Sequence, residues 1–151
     1  MRAFLGIVSL IFFVNVTDAA NDIDSHGVIL AYHHVSTDTP PSTSISPEDF
    51  EKHLHYLKEN DFNVIALNQM IETLKAGEKL PNKAVAITFD DGYISIYDTA
   101  FPMLQSYGFP FTLFLSTGPI DRQQQNFINW EQIKEMSSAG VIIANHMVEH
   151  P

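Results

Sequence analysis

Five short apolar runs divide the chain, at residues 28–32, 64–67, 84–89, 111–116 and 141–145. Between them, apolar residues return every three to four positions, the spacing of one helix face. Phe50, Leu54 and Leu57 share one such face, Met70, Ile71 and Leu74 a second, and Tyr97, Ala100, Phe101 and Leu104 a third. Alternation of strands and helices predicts an α/β fold with a mostly parallel sheet, since a parallel return needs a crossover long enough to hold a helix.

Local signals mark the helix ends. Ser46 followed by Pro47 is an N-cap with proline at the first helical position. Asn68 is placed to cap a second helix, which Gly77 closes. Pro102 predicts a kink, or a restart near Thr99, in the third. Asn129-Trp130-Glu131-Gln132 has the pattern of a capping box for a helix ending at Gly140. Residues 36–46, rich in Ser, Thr and Pro, read as a loop, and the runs at 28–32 and 64–67 as strands, the first of them buried.

Length and composition narrow the function. The chain has 151 residues, enough for one domain, with 45% hydrophobic and 17% charged residues, a globular balance. A formal net charge of -10 argues against a nucleic-acid partner, which needs a basic face. There is no cysteine, so any metal must be held by His and carboxylate. Residues 1–19 read as a secretory signal peptide: Arg2 precedes an uncharged apolar run, and Thr17-Asp18-Ala19 puts small residues where a signal peptidase cuts. An uncleaved anchor is the alternative. The expectation is an exported protein, periplasmic or secreted, whose domain occupies residues 20–151 and which keeps no stable membrane association after cleavage. Oligomeric state is left open.

Three of the strand ends carry chemistry. The first runs into Tyr32-His33-His34, the third into Asp90-Asp91-Gly92, and the fifth into His146, with His150 four residues further on. In parallel α/β folds these C-terminal ends share one rim, where active sites lie. Two adjacent carboxylates at the end of an apolar strand repel each other in a poorly solvated place; a divalent cation resolves this, one Asp ligating and the other remaining a base. The bland alternative is an Asp that caps the next helix. His146 and His150, four apart, share a face if the segment is helical, a common way to chelate one ion. Strand alternation allows only one of His33 and His34 to face the rim, as a candidate general acid or a core histidine. His53 and His55, two apart on a helix, read as structural or surface residues.

The segment Thr88-Phe89-Asp90-Asp91-Gly92, followed by Asn145-His146 and His150, resembles the first two motifs of the polysaccharide deacetylases of the NodB-homology type. Ala31-Tyr32-His33-His34-Val35, preceding the aspartates, is similar to the branch that contains the poly-N-acetylglucosamine N-deacetylases. The resemblance implies a distorted (β/α) barrel, incomplete here, with the chain as the N-terminal portion of the domain. It implies Asp90 as catalytic base, His33 as general acid, and Asp91, His146 and His150 as metal ligands. The activity implied is metal-dependent removal of N-acetyl groups from an N-acetylglucosamine-containing polysaccharide. Zinc suits such ligands, with cobalt, nickel or manganese as alternatives. Because His150 is the penultimate residue and chain ends fray, the chain by itself is expected to bind metal weakly and turn over slowly. The competing expectation is an inactive fragment or carbohydrate-binding remnant of such an enzyme. A metal-trafficking protein would need further His or acidic clusters, which the sequence does not show.

Overall fold

The computed structural model describes residues 25–149. Strand β1 spans Gly27–Tyr32, β2 His34–Val35 and β3 Ser44–Ile45; helix α1 is Pro47–Glu59, β4 Asn63–Val64, α2 Leu67–Lys75 and β5 Ala84–Asp91. A π-helical turn, Ile96–Ala100, leads into α3, Phe101–Tyr107; then come β6 Thr112–Ser116, α4 Thr117–Asp121, α5 Trp130–Ser138 and β7 Ile142–Met147. Every pairing between these strands is parallel, as the alternation predicts. The main sheet runs β1-β5-β6-β7, with β4 also paired to β5. Since β1 covers one edge of β5, β4 and β6 must share the other, β4 at residues 84–85 and β6 at 88–91.

The caps follow the local rules. Ser46 accepts a hydrogen bond from the Asp49 backbone N–H, and Phe50, Leu54 and Leu57 are the buried face of α1. Asn129 and Gln132 form both halves of the capping box on α5. At Pro102 the helix changes type, as the proline predicts: a π-helical turn gives way to α3, which begins at Phe101 with Pro102 in its first turn. The turn before it widens, with the Phe101 N–H bonding five residues back to Ile96. A proline ring clashes with the carbonyl four residues earlier, and a π-turn relieves that clash without ending the helix.

Four expectations need correction. First, β1 is not buried: Val28 and Ile29 are 51% and 53% exposed, because β1 has a single neighbour among the described strands and lies at a sheet edge. Second, the run at 64–67 pairs only through Asn63 and Val64, and Leu67 already belongs to α2. Third, Asn68 is inside α2; the N-cap is Ala66, which makes no side-chain cap. On that helix Met70 is buried while Ile71 and Leu74 are exposed. Fourth, the loop at 36–46 contains β3, which pairs with β2 in a small separate sheet.

Alternation along β5 divides the interior. Val85, Ile87 and Phe89 face the main core with Phe50, Leu54, Leu104, Leu113 and Met136. Ala84 and Ala86 face a smaller cluster with Met70 and Leu80. Phe89 is central to the first: its ring lies 5.5 Å from Tyr32, 5.9 Å from Phe50 and 5.5 Å from Phe111. Among the described residues no helix is long and apolar enough to cross a membrane. The expected signal segment, residues 1–19, lies outside the described residues.

Candidate active site

β5 carries its two aspartates to the C-terminal rim of the sheet. Alternation assigns Asp90 to the face of Ala84 and Ala86, and would turn Asp91 toward the helix-covered core. The backbone prevents this. Asp91 has φ +72°, and the Gly92 N–H bonds back to the Asp90 carbonyl at 3.0 Å, closing a γ-turn about Asp91. Positive φ is strained for a residue with a Cβ, and such strain gathers at functional sites. Gly92 follows at φ +89°, where an added Cβ would lie 3.0 Å from Leu115.

The Asp91 carboxylate is buried and held from two sides. The Ser116 hydroxyl, at the end of β6, donates to Asp91 Oδ1 at 3.1 Å. Tyr93 lies near the same carboxylate; burial first, and then the Asp91 charge, push the Tyr93 phenol above its usual pKa. On the open side, His146 Nε2 lies 3.5 Å from Asp91 Oδ1. Two ligands that each sit ~2.1 Å from a tetrahedral metal are about 3.4 Å apart, so this spacing fits a shared ion. Asp91 and His146 are thus two donors of the right chemistry. Among the described residues no group of three or more His, Cys, Asp or Glu is arranged around one point. His150, the third residue of the expected set, lies outside the described residues.

His33 Nε2 lies 3.9 Å from Asp90 Oδ2, both side chains being partly exposed. Of the two histidines it is His33 that reaches Asp90, one of the two as expected. β1 stops at Tyr32 and the chain bends at His33, so strict alternation ends there. His34 is a buried ring stacked on Tyr93 at 3.7 Å between centroids. Burial, and then the neighbouring His33, lower its pKa, opposed by Asp91. His53 bonds the Tyr32 hydroxyl at 3.0 Å, away from the aspartate pair, in a structural role.

Ser116 and Tyr93 were not among the residues singled out from the sequence. The signal for Ser116 was present: it ends an apolar run, and all parallel strands finish at the same rim. Tyr93 carried none, since its position depends on the turn after Gly92.

The segment after β7 is tied to α4. The Gly118 N–H donates to the Val148 carbonyl at 2.7 Å, and Arg122 pairs with Glu149, its Nη2 at 3.0 Å from Oε2. Gly118 is the close-approach point, where a Cβ would sit 2.5 Å from the Val148 oxygen.

Residues 77–151 match the polysaccharide deacetylase family model. YxkH of Bacillus subtilis is 33% identical over 122 residues, which are 81% of this chain and 42% of that protein. The poly-β-1,6-N-acetyl-D-glucosamine N-deacetylase of Escherichia coli K12 is 28% identical over 136 residues, covering 79% of this chain and 20% of that one. IcaB from Ammonifex degensii superposes with a TM-score of 0.71 at 32% identity, over 82% of this chain and 52% of the solved chain. The chain thus spans less than half the length of these two curated relatives and about half of that solved structure. With a parallel sheet whose rim gathers the paired aspartates and their histidines, the chain belongs to the polysaccharide deacetylase family.

Proposed function

We propose that this chain carries the acid–base pair and most of the metal site of a polysaccharide N-deacetylase acting on an N-acetylglucosamine-containing polymer. The observation that supports this best is the double pairing on one rim, His33 with Asp90 and His146 with Asp91, on adjacent residues of one strand. Asp91 and His146, with His150, would hold a divalent metal, zinc or alternatively cobalt, nickel or manganese, which supplies Lewis-acid polarisation of the acetamide carbonyl.

The chain's own groups divide the remaining work. Asp90 takes the proton of the attacking water as its oxygen bonds to the carbonyl carbon. His33, beside it, gives a proton to the departing nitrogen as the C–N bond breaks, leaving acetate and a free amine on the sugar. Imidazole suits that step because it exchanges protons near neutral pH. Ser116 and Tyr93 fix the direction of the Asp91 carboxylate, a supporting role on which ligand geometry depends. Export to the periplasm or cell exterior, where such polymers lie, rests on the N-terminal signal pattern.

The test is acetate release from N-acetylglucosamine oligomers by the purified protein. Release that stops on chelation and returns with zinc or cobalt is expected. Oligomer binding with no release in the presence of zinc would contradict the enzymatic reading and favour a carbohydrate-binding remnant.

Gly118→Ala tests the support of the ligand segment. The added Cβ meets the backbone of Val148, so the segment following His146 must move. Zinc affinity, read by calorimetry, should fall by about 10- to 100-fold, the usual effect of disturbing a ligand's support. Unchanged affinity would show that the contact with α4 does not position His146.

A further inference from the structure

We infer that the groove around Trp130 is a second sugar-binding surface, which holds neighbouring N-acetylated units of the polymer whose reacting unit lies at Asp90. The inference rests on the proposed polysaccharide substrate and adds where the rest of the chain of sugars lies.

The groove is a cavity of about 700 Å³ between the end of α4, the loop at 122–129 and the start of α5. The three consecutive glutamines Gln123, Gln124 and Gln125 line it, together with Phe127, Trp130 and Asp121. Trp130 is 42% exposed, so it is not a core residue. Its ring is nevertheless held in place: the indole N–H donates to Asp121 Oδ1 at 3.0 Å, and its backbone opens a helix locked by the Asn129–Gln132 capping box. A flat apolar ring, fixed in orientation and left open to solvent, is suited to stacking against the C–H face of a sugar. Glutamine side chains offer both donors and acceptors, matching hydroxyl and acetamido groups at the sugar's rim. The lining contains no Lys or Arg, which disfavours an anionic ligand.

The loop that lines the groove is bonded to the segment that follows the aspartates. The Ile128 N–H donates to the carbonyl of Gly92, the residue after the aspartates, at 3.0 Å. The Ile94 N–H donates to the Asn126 carbonyl at 2.8 Å, and the Phe127 ring lies 4.7 Å from Tyr93. A second cavity, of about 510 Å³ and lined by His34 and Tyr93, has Ile94 and Phe127 in common with the first. The two cavities are therefore neighbours, with Ile94 and Phe127 in the wall of both. A polymer, rather than a single sugar, is the ligand that could occupy this groove while one of its units lies at Asp90.

Trp130 is the only tryptophan in the chain, so its fluorescence reports on this groove alone. In an Asp90→Asn background, which separates binding from turnover, a β-1,6-linked tetramer of N-acetylglucosamine should change that emission saturably, and the monosaccharide much less. By calorimetry, Trp130→Ala should bind the tetramer about two- to tenfold more weakly, the range for losing one aromatic contact. Trp130→Phe, which keeps a ring, should recover most of the affinity. Circular dichroism establishes that both variants are folded. Tetramer binding that leaves the emission unmoved and is unaffected by Trp130→Ala overturns the inference, as does an absence of binding. Acetate release, measured in the unsubstituted protein, judges the activity separately: release without a Trp130 response removes the groove and leaves the enzyme standing.

Discussion

Asp90→Asn should lower the rate of acetate release by about 10²- to 10⁴-fold, the usual contribution of a positioned general base. Asparagine keeps the size and the hydrogen-bonding reach of the side chain but cannot take up a proton. The Asp90 side chain is partly exposed, with the His33 ring 3.9 Å away, so little packing depends on it. The substitution should therefore leave the fold intact. Metal binding should also persist, because the carboxylate that faces His146 is that of Asp91. Calorimetric titration with zinc, alongside acetate release, separates the two roles: Asp90→Asn loses rate and keeps zinc, whereas Asp91→Asn loses zinc. Near-normal turnover in Asp90→Asn would move the base to another group. Loss of zinc binding there would mean that both aspartates are ligands.

Phe89→Ala should destabilise the protein by about 3–5 kcal/mol, the usual cost of removing a fully buried phenylalanine. Phe89 has no exposed surface, and three aromatic rings close around it, from β1, α1 and the start of β6. Its removal leaves a cavity that none of these rings fills without leaving its rotamer. Against a typical domain stability of about 5–15 kcal/mol, that loss is a large fraction of the total. Urea denaturation followed by circular dichroism would show a lower midpoint with little change of slope. Phe89 immediately precedes Asp90, so turnover should decline as well, through disorder of the strand end. A loss below about 1 kcal/mol, the level of a surface substitution or little more, would show that the cluster repacks freely.

Much of this protein was legible in one dimension. The apolar periods predicted a parallel α/β sheet, because the spacing of buried residues is set by the backbone repeat of each element. Ser46, Asn129 and Gln132 act as the caps their positions predict, since a cap is satisfied within a single turn. The aspartate pair was conspicuous because two carboxylates ending an apolar strand need an explanation from chemistry.

What lies across the sheet was not legible. Periodicity tells which face of a strand is apolar but not how many neighbours the strand has, so the apolar run of β1 was read as buried when it is an edge. Asn68 was read as a cap because a side chain's capping chemistry is visible in sequence, while the turn at which the helix begins is not. Alternation was also the wrong guide where strands end. The chain bends at His33, which reaches Asp90 while His34 packs on Tyr93, and the γ-turn at Asp91 turns its carboxylate toward Ser116. Ser116 reaches Asp91 from 25 positions away, through a strand pairing that no local signal specifies. Residue types and local repeats thus determined the elements and the chemistry available at their ends. Only the tertiary structure decided which ends meet and which side chains turn inward, because those depend on contacts between segments far apart in the chain and on backbone strain that only the surrounding packing can sustain.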